Sequence, residues 1–160
     1  MQRFERPSAA ERLFSKLFGV LIGLGLGLPH NFLLEVRGRK TGRLYATPVD
    51  VLVLDGRRYL VAGRGDTAWV RNALASGTVA LRKGRRREEF RVRALSDEEK
   101  PAILKAYLDR FKLTVQRYFP LPAGSPVDAF RPLVDRYPAF ELVGPERSAG
   151  PTGSPVMGRP

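Results

Sequence analysis

The chain has 160 residues and a mass of 17.8 kDa, and 43% of its residues are hydrophobic, so it is long and apolar enough for one domain with a core. This composition excludes a wholly disordered chain. Lys and Arg number 28 against 16 Asp and Glu, a net charge of +12, which indicates an anionic partner: nucleic acid, an acidic membrane or a phosphorylated ligand. There is no cysteine, and His30 is the single histidine, which argues against a thiol nucleophile, a Ser-His-Asp triad and a metal site.

Residues 1–30 form the first predicted segment. Ser8 is placed to cap a helix over residues 9–26. Residues 17–28 are an uncharged apolar run, and basic residues precede this run. At about 1.5 Å per residue this run spans roughly 18 Å, too short for a bilayer core of about 30 Å. We interpret it as an amphipathic or buried helix over the core, with contact to an acidic membrane surface as the alternative. At the other end of the chain, residues 144–160 are rich in Pro, Gly and Ser and are expected to be disordered.

Residues 31–143 are predicted to be the folded domain, and they begin with hairpins. Apolar residues alternate with others from Phe32 to Arg37, which is strand periodicity. A second strand is predicted over Leu44–Leu54, and Pro48 inside it requires a sheet edge or a bulge. Asp55-Gly56 is a hairpin turn signal leading to a third strand at Arg58–Ala62.

A short helix is predicted next, over Ala68–Ala75. Trp69, Ala73 and Leu74 are expected to face inward, and Gly77 is expected to end the helix as a left-handed cap.

The remaining elements are a hairpin, helices and a closing strand. They are predicted at Val79–Arg82 and Glu88–Ala94 (strands), Ser96 to Tyr118 (helix), Asp128–Tyr137 (helix) and Phe140–Val143 (strand). Strands joined by tight hairpins form antiparallel sheets. The sequence therefore predicts an α+β fold, a small barrel of about six mostly antiparallel strands with flanking helices.

Three segments could bind an anion. The turn Gly38–Arg43 carries three cations, a hydroxyl and two glycines between apolar strands, which suits a phosphate, although a merely solvated basic turn has the same pattern. The loop Gly63–Asp66 leads into a helix whose first N–H groups are free, and Asn72 could face the same ligand. Trp69 reads equally as a core aromatic.

The third segment, Arg82–Arg87, holds five cations in a hairpin. It reads as a solubilising loop or as a nucleic-acid contact, but the chain lacks the aromatic interleaving or helix-turn-helix of common nucleic-acid binders, so nucleic acid is not the expected partner. Neither this hairpin nor His30 receives a role from the sequence.

Several of these pieces, in this order, resemble a known family. The segment Leu33–Arg43, followed by Thr47-Pro48-Val49, is similar to the opening of the deazaflavin-dependent nitroreductases, which are split β-barrel flavin and deazaflavin oxidoreductases. Asp55-Gly56, the glycine loop and Trp69–Leu74 continue the similarity, which covers about residues 31–110.

The resemblance implies an FMN-binding split-barrel fold and coenzyme F-420, a deazaflavin with a phosphate and an acidic polyglutamyl tail, as the cofactor. It implies an oxidoreductase that passes a hydride from the reduced coenzyme to a quinone, an enone or a nitroaromatic acceptor. A tyrosine, for which Tyr118 is the candidate, or water would protonate the product. The implied cofactor-binding residues are Arg39, Lys40, Thr41 and Arg43 for the phosphate and tail, Thr47 and Pro48 at the ring, Gly63, Arg64 and Gly65 in the loop, and Trp69 and Asn72 beside the cofactor.

Two alternatives stay open. Thr67 stands where the family has a proline, and the loop before Trp69 is short, so an FMN-binding reductase of the same fold fits as well. A non-enzymatic basic protein that binds anionic lipid or nucleic acid is the second alternative, and it predicts one continuous stripe of cations. The expected location is the cytoplasm, and peripheral contact with the inner face of the membrane through residues 9–28 is a further possibility. A homodimer is also possible.

Overall fold

The computed structural model describes residues 29–144. The predictions for residues 1–28 and 145–160 lie outside the described residues. The strands are β1 (Asn31–Arg37), β2 (Leu44–Asp50), β3 (Leu52–Leu54), β4 (Arg57–Val61), β5 (Thr78–Lys83), β6 (Arg86–Ala94) and β7 (Ala139–Val143). The helices are α1 (Ala68–Ser76) and α2 (Lys100–Val115), with 3-10 segments at Gln116–Tyr118 and Val127–Leu133.

The seven strands form one antiparallel sheet in the order β2-β1-β5-β6-β7-β4-β3. Its two edge strands, β2 and β3, are consecutive in the chain and are separated by the single residue Val51. The sheet must therefore curl until its edges approach each other, which makes it a half-barrel. The predicted α+β split-barrel fold is confirmed.

The prediction of one strand over Leu44–Leu54 was wrong. The chain pairs with β1 as far as Asp50 and then crosses to pair with β4 from Leu52, while the N–H of Val51 donates to the carbonyl of His30 at 2.9 Å. This division gives seven strands rather than about six. Pro48 lies in the edge strand β2, as expected for a residue without an N–H to donate.

The predicted turns and caps agree with the structure. Asp55 and Gly56 both have positive φ, 51° and 74°, and close the β3–β4 hairpin. Gly77 ends α1 with φ 74°, and its N–H donates to the carbonyl of Ala73 at 2.8 Å.

The inward face of α1 differs from the prediction. Val70, Asn72 and Ala73 are buried and Trp69 is half-buried, but Leu74 is 56% exposed. Successive helical residues are about 100° apart, so Leu74 is turned away from Ala73 toward solvent.

Two apolar clusters hold these elements together. One packs α2 and the chain after it against β3, β4 and β7, with Leu104, Leu108 and Phe130 fully buried. The other fills the concave side of the sheet beside α1, with Leu34 and Leu60 at its centre. Both surround the region where the predicted site residues lie.

The long helix begins slightly later than predicted, and the helix after it takes a different form. Ser96 and Glu99 bond each other reciprocally, Glu99 N to Ser96 Oγ at 3.3 Å and Ser96 N to Glu99 Oε1 at 3.4 Å, as in a capping box, and α2 follows from Lys100. The predicted helix at Asp128–Tyr137 is a 3-10 segment, which contains Pro132.

Within residues 29–144, no helix is both long and apolar enough to cross a membrane, and no three His, Asp or Glu side chains gather as metal ligands.

Candidate functional site

The turn between β1 and β2, residues 38–43, is closed by backbone hydrogen bonds. Gly38 N donates to the carbonyl of Arg43 at 2.6 Å, and Gly42 N donates to the carbonyl of Gly38 at 2.9 Å. The guanidinium of Arg37 donates to the carbonyl of Gly42 at 2.8 Å, and the hydroxyl of Thr41 accepts from Arg43 N at 3.2 Å. We call this segment the basic turn.

Gly38 is tightly enclosed within the basic turn. A Cβ atom at this position would lie 2.6 Å from Cε2 of Tyr45 and 3.2 Å from Oγ1 of Thr41. The first glycine of the motif therefore lets the Tyr45 ring lie against the backbone of the turn.

A side chain of α1 anchors the basic turn. The amide oxygen of Asn72 accepts from the backbone N–H of Arg39 at 3.1 Å and from its guanidinium at 2.8 Å. Asn72 is 6% exposed, so its oxygen is fixed by the packing of the helix. Two motifs that are 33 residues apart in sequence thus meet at one atom.

Lys40 and Arg43 project from the anchored turn. Both are exposed, and neither forms an ion pair with the Asp and Glu side chains of residues 29–144. Their positive charge is therefore available to an anion from solution.

Thr47 and Pro48 lie in the edge strand β2, half-buried, opposite Leu34 and Leu33 of β1. Directly paired residues of an antiparallel sheet share a face, and successive residues alternate. Thr47 therefore shares the concave face of Leu34, whereas Pro48 is on the other face.

The glycine loop at residues 63–65 meets Tyr118, which follows α2. A Cβ at Gly63 would lie 3.3 Å from Cδ2 of the Tyr118 ring. Arg64 of the same loop points its guanidinium at the Tyr118 hydroxyl, with Nε at 3.4 Å and one Nη at 3.3 Å. The hydroxyl of Tyr137 donates to the backbone carbonyl of Tyr118 at 2.5 Å.

An open surface groove of about 290 Å³, which we call the cavity, is lined by the exposed residues Leu113, Thr114 and Arg117, next to Tyr118 in the chain. Arg117 also donates to the Tyr118 hydroxyl at 2.7 Å. The cavity therefore combines an apolar side chain, a hydroxyl and a guanidinium. The sequence analysis did not single out Arg117, and only its position next to Tyr118 could have indicated it.

A polar group lies close to the cavity, at the start of β1 and the end of β2. Asp50 accepts from Asn31 at 2.5 Å and lies 3.6 Å from His30, whose ring is tilted by 40° against that of Phe111 of α2, with the centroids 4.8 Å apart. Burial raises the pKa of the Asp50 carboxyl, and His30, Asn31 and Thr114 partly oppose that effect. His30, the single histidine, thus lies beside Asp50.

The first turn of α1 connects the glycine loop to Asn72. Thr67 precedes the helix, and its buried hydroxyl oxygen finds no hydrogen-bond partner in the described part of the chain. Trp69 packs against Phe140 with ring centroids 6.0 Å apart. Trp69 is therefore at least partly a core residue, as one of its two interpretations held.

The cations of Arg82–Arg87 lie elsewhere. Arg82 is level with Leu33 of β1, five residues before Gly38, so the hairpin and the basic turn are separated by about 17 Å along the strand. Lys83 lies over the Phe32 ring, and Arg87 approaches Glu35 at 3.4 Å. The two groups of cations do not form one continuous stripe.

Glu35 is a buried carboxylate that the sequence analysis missed. It is 5% exposed, and although Arg87 Nε is 3.4 Å from its Oε1, that contact lacks the geometry of a hydrogen bond. Its alternation with Leu34 and Val36 predicts a solvent-facing residue, so no sequence signal marks this burial.

Solved structures that match this chain with TM-scores above 0.5 share its fold. A domain-swapped dimer matches with TM-score 0.52 and 19% identity, covering 83% of this chain and 92% of that chain. The heme storage protein HutZ from Vibrio cholerae matches with TM-score 0.51 and 11% identity over 72% and 81% of the two chains. An F420-H2 dependent reductase matches with TM-score 0.49 and 19% identity over 71% and 94%.

A comparison with curated proteins gives no match. A family model described as F420H(2)-dependent quinone reductase matches residues 12–115, well over half of the chain. The resemblance read from the sequence is thereby confirmed, and the chain belongs to the F420H(2)-dependent quinone reductases, a family of deazaflavin-using oxidoreductases.

Proposed function

We propose that this protein binds coenzyme F-420 through its basic turn and reduces a quinone-type acceptor beside Tyr118. The observation that carries the proposal is the contact between Asn72 and Arg39, because it fixes an exposed, unneutralised basic turn to the helix that follows the glycine loop. Family membership supports the chemistry, and the geometry supports the assignment of residues.

The donor set suits the coenzyme. The phosphate and the carboxylates of its tail are anionic acceptors, and the basic turn offers guanidinium, ammonium, hydroxyl and backbone donors with no acid among them. In this assignment Arg39, Lys40, Thr41 and Arg43 bind the phosphate and tail. The side chain of Arg39 keeps one N–H group on Asn72, which leaves its other donors for an anion.

The remaining predicted residues shape the site. In this assignment Thr47 and the loop Gly63–Gly65 border the ring, Pro48 follows Thr47 on the opposite face of β2, and Trp69 supports the helix beside the loop through its packing on Phe140. Asn72 acts as a positioning residue because its oxygen is already engaged by Arg39.

When bound, the reduced deazaflavin supplies the hydride. The protein's own contribution is to hold the acceptor, exclude water and deliver a proton. Arg117, which lines the cavity with Leu113 and Thr114, donates to the hydroxyl of Tyr118, and we assign this hydroxyl to protonate the reduced product, with water as the alternative source. The exposed Leu113 side chain, the Thr114 hydroxyl and the Arg117 guanidinium offer one apolar and two polar contacts to a quinone, an enone or a nitroaromatic.

Two features of assembly and location remain proposals. A homodimer is supported by the free edge of β2, where Leu44 and Tyr45 are each 50% exposed, and sedimentation analysis tests it. Peripheral membrane contact through residues 9–28 rests on the sequence pattern alone, and vesicle flotation of the full chain tests it.

Cofactor binding is the decisive experiment. The purified protein is titrated with F-420 and, separately, with FMN, and the ligand's fluorescence is followed. We expect F-420 to bind at micromolar concentration or tighter, and Lys40→Ala or Arg43→Ala to weaken binding by about ten- to a hundredfold, since a charge-assisted hydrogen bond contributes about 1.5–3 kcal/mol.

Arg85→Ala is the matched control, because it removes the same charge from the distant basic hairpin. If Arg85→Ala weakens binding as much as Lys40→Ala, the ligand senses net charge and the assigned site is wrong. Tighter binding of FMN than of F-420 would favour the flavin alternative. If neither binds, the protein is not a reductase of this type.

A further inference from the structure

Two guanidinium groups converge on one phenol at the edge of the cavity. Arg64 approaches the Tyr118 hydroxyl from the glycine loop at 3.3 and 3.4 Å, and Arg117 approaches it from the 3-10 segment at 2.7 Å. Both guanidinium carbons also lie near the tyrosine ring, 5.6 Å and 4.8 Å from its centroid. We call these three residues the Arg64–Tyr118–Arg117 cluster.

The hydrogen bonds of the cluster leave one donor free. A phenol carries one O–H and two acceptor lone pairs, and a guanidinium can only donate. Arg64 and Arg117 therefore occupy the acceptor positions of the Tyr118 oxygen, and the O–H is left to donate to a third group. Within residues 29–144 no acceptor takes that hydrogen.

The charge of the cluster is not balanced locally. Neither Arg64 nor Arg117 pairs with an Asp or Glu side chain of residues 29–144, a property that they share with Arg39 and Arg43 of the basic turn. Two unpaired cations beside a free O–H form a site for an oxyanion, that is, an acceptor of hydrogen bonds with negative charge.

We propose that the Arg64–Tyr118–Arg117 cluster binds the phenolate oxygen of a half-protonated hydroquinone. This inference rests on the proposed function, because that anion is what a quinone becomes when it gains a hydride and no proton. A hydride supplied by the bound cofactor would add two electrons and one hydrogen to the quinone and would leave one ring oxygen negative. The O–H of Tyr118 then transfers its proton to that oxygen, and water restores the tyrosine.

Arg64 and Arg117 have a different role from the cations of the basic turn, which bind the phosphate and tail of the cofactor. They stabilise charge that develops on the acceptor, so they act on the reduced product more than on the neutral quinone. The neighbouring open groove, lined by Leu113, Thr114 and Arg117, gives the rest of the ring a place to lie, with Leu113 as its apolar contact.

A phenolate probe tests the cluster without any cofactor. 4-Nitrophenol is titrated into the purified full chain near the pH at which the free probe is half ionised, and the anion is followed by its visible absorbance. We expect binding to raise the ratio of anion to neutral probe about tenfold, as a charge-assisted hydrogen bond predicts. Arg64→Gln and Arg117→Gln are each expected to remove most of this rise, and Arg117→Lys to retain part of it.

Arg85→Gln is the control for net charge. Arg85 lies in the hairpin at the start of β6, and Ala94 lies at the end of the same strand, about 26 Å away. Val61 and the glycine loop are near Ala94. The Arg85→Gln variant is therefore expected to bind the probe like the wild type. Tyr118→Phe keeps both guanidiniums and removes only the O–H, so it is expected to retain anion preference with weaker affinity.

The outcomes separate the two proposals. An unchanged anion ratio on binding, or an equal loss in Arg85→Gln and Arg117→Gln, would overturn the oxyanion site even in a protein that binds F-420. Selective loss in the Arg64 and Arg117 variants of a protein that fails to bind F-420 would support the oxyanion site and refute the proposed cofactor. Thermal melting of each variant checks that it is folded.

Discussion

Asn72 accepts two hydrogen bonds from Arg39, one from the backbone and one from the guanidinium, and it does so from a buried position in α1. Asn72→Ala removes both and leaves a backbone N–H of the basic turn without its acceptor. We expect a loss of about 1–2 kcal/mol in the free energy of unfolding. We also expect F-420 to bind about tenfold more weakly, because the turn is no longer held in one position.

Asn72→Asp provides the matched comparison, since it keeps an acceptor oxygen at the same place. It is expected to keep the free energy of unfolding closer to that of the wild type than Asn72→Ala does, but to weaken F-420 binding, because its carboxylate neutralises Arg39. Denaturant unfolding and fluorescence titration measure the two effects. Equal F-420 affinity in Asn72→Ala and the wild type would show that the anchor does not serve the ligand.

Gly38 offers a test of local packing. Its φ is not positive, so alanine is tolerated by the backbone, but the new Cβ would lie 2.6 Å from the Tyr45 ring. We expect Gly38→Ala to displace Tyr45 and to lower the free energy of unfolding by about 1–2 kcal/mol. In a Tyr45→Ala background the same change is expected to be neutral or stabilising, because a glycine then only adds entropy to the unfolded chain. A cost that persists in that background would contradict the packing explanation.

The stability of the protein at low pH depends in part on the ion pairs of Glu99. Hydrogen bonds from Arg93 at 2.8 and 2.9 Å lower the pKa of Glu99 from 4.5 to about 2, and Arg93 also binds Glu141 of β7. A carboxyl whose pKa is depressed by folding stabilises the protein above its unfolded pKa and loses that contribution as the pH falls through the folded value. We expect Glu99→Gln to lower the melting temperature at pH 7.

The difference between Glu99→Gln and the wild type is expected to shrink as the pH falls from about 4.5 toward about 2, and to vanish below about 2, where the Glu99 carboxyl is protonated in the folded chain as well. Melting curves at stepped pH values give this comparison. A difference that stays constant over that range would mean that the stabilisation is not due to the ionised carboxylate.

The orientation of α1 can be checked with two substitutions on one helix. Val70 is fully buried and Leu74 is 56% exposed. We expect Val70→Ala to cost about 2 kcal/mol and Leu74→Ser less than about 0.5 kcal/mol in the free energy of unfolding. If Leu74→Ser is the more damaging change, Leu74 is an inward residue after all, as its hydrophobicity suggested.

Local signals in the sequence predicted most of the fold. Asp55-Gly56 and Gly77 were found because each requires a backbone conformation that few residues adopt, and Pro48 was placed at an edge because it lacks a donor. The split of Leu44–Leu54 could not be found in this way. An apolar run reads as one strand, and its division depends on the curl of the whole sheet.

The candidate site shows the same boundary. The basic turn and the segment from Trp69 to Asn72 were recognised as motifs, and their joint occurrence identified the family. Their contact through Arg39 was not predictable, because it depends on how α1 packs. Glu35 and Arg117 carry ordinary local signals, and only tertiary structure makes one of them buried and the other a partner of Tyr118.

Val51 couples the two edges of the sheet. The pairing of Asp50 with Asn31 and the pairing of Leu52 with Tyr59 are two residues apart in the chain, although they belong to opposite edges. Neither edge strand can slip along its neighbour without pulling the other by the same amount, and a slip would turn every side chain of both strands. The register of β2 on β1 therefore determines the register of β3 on β4, so that the two edges of the barrel share one register.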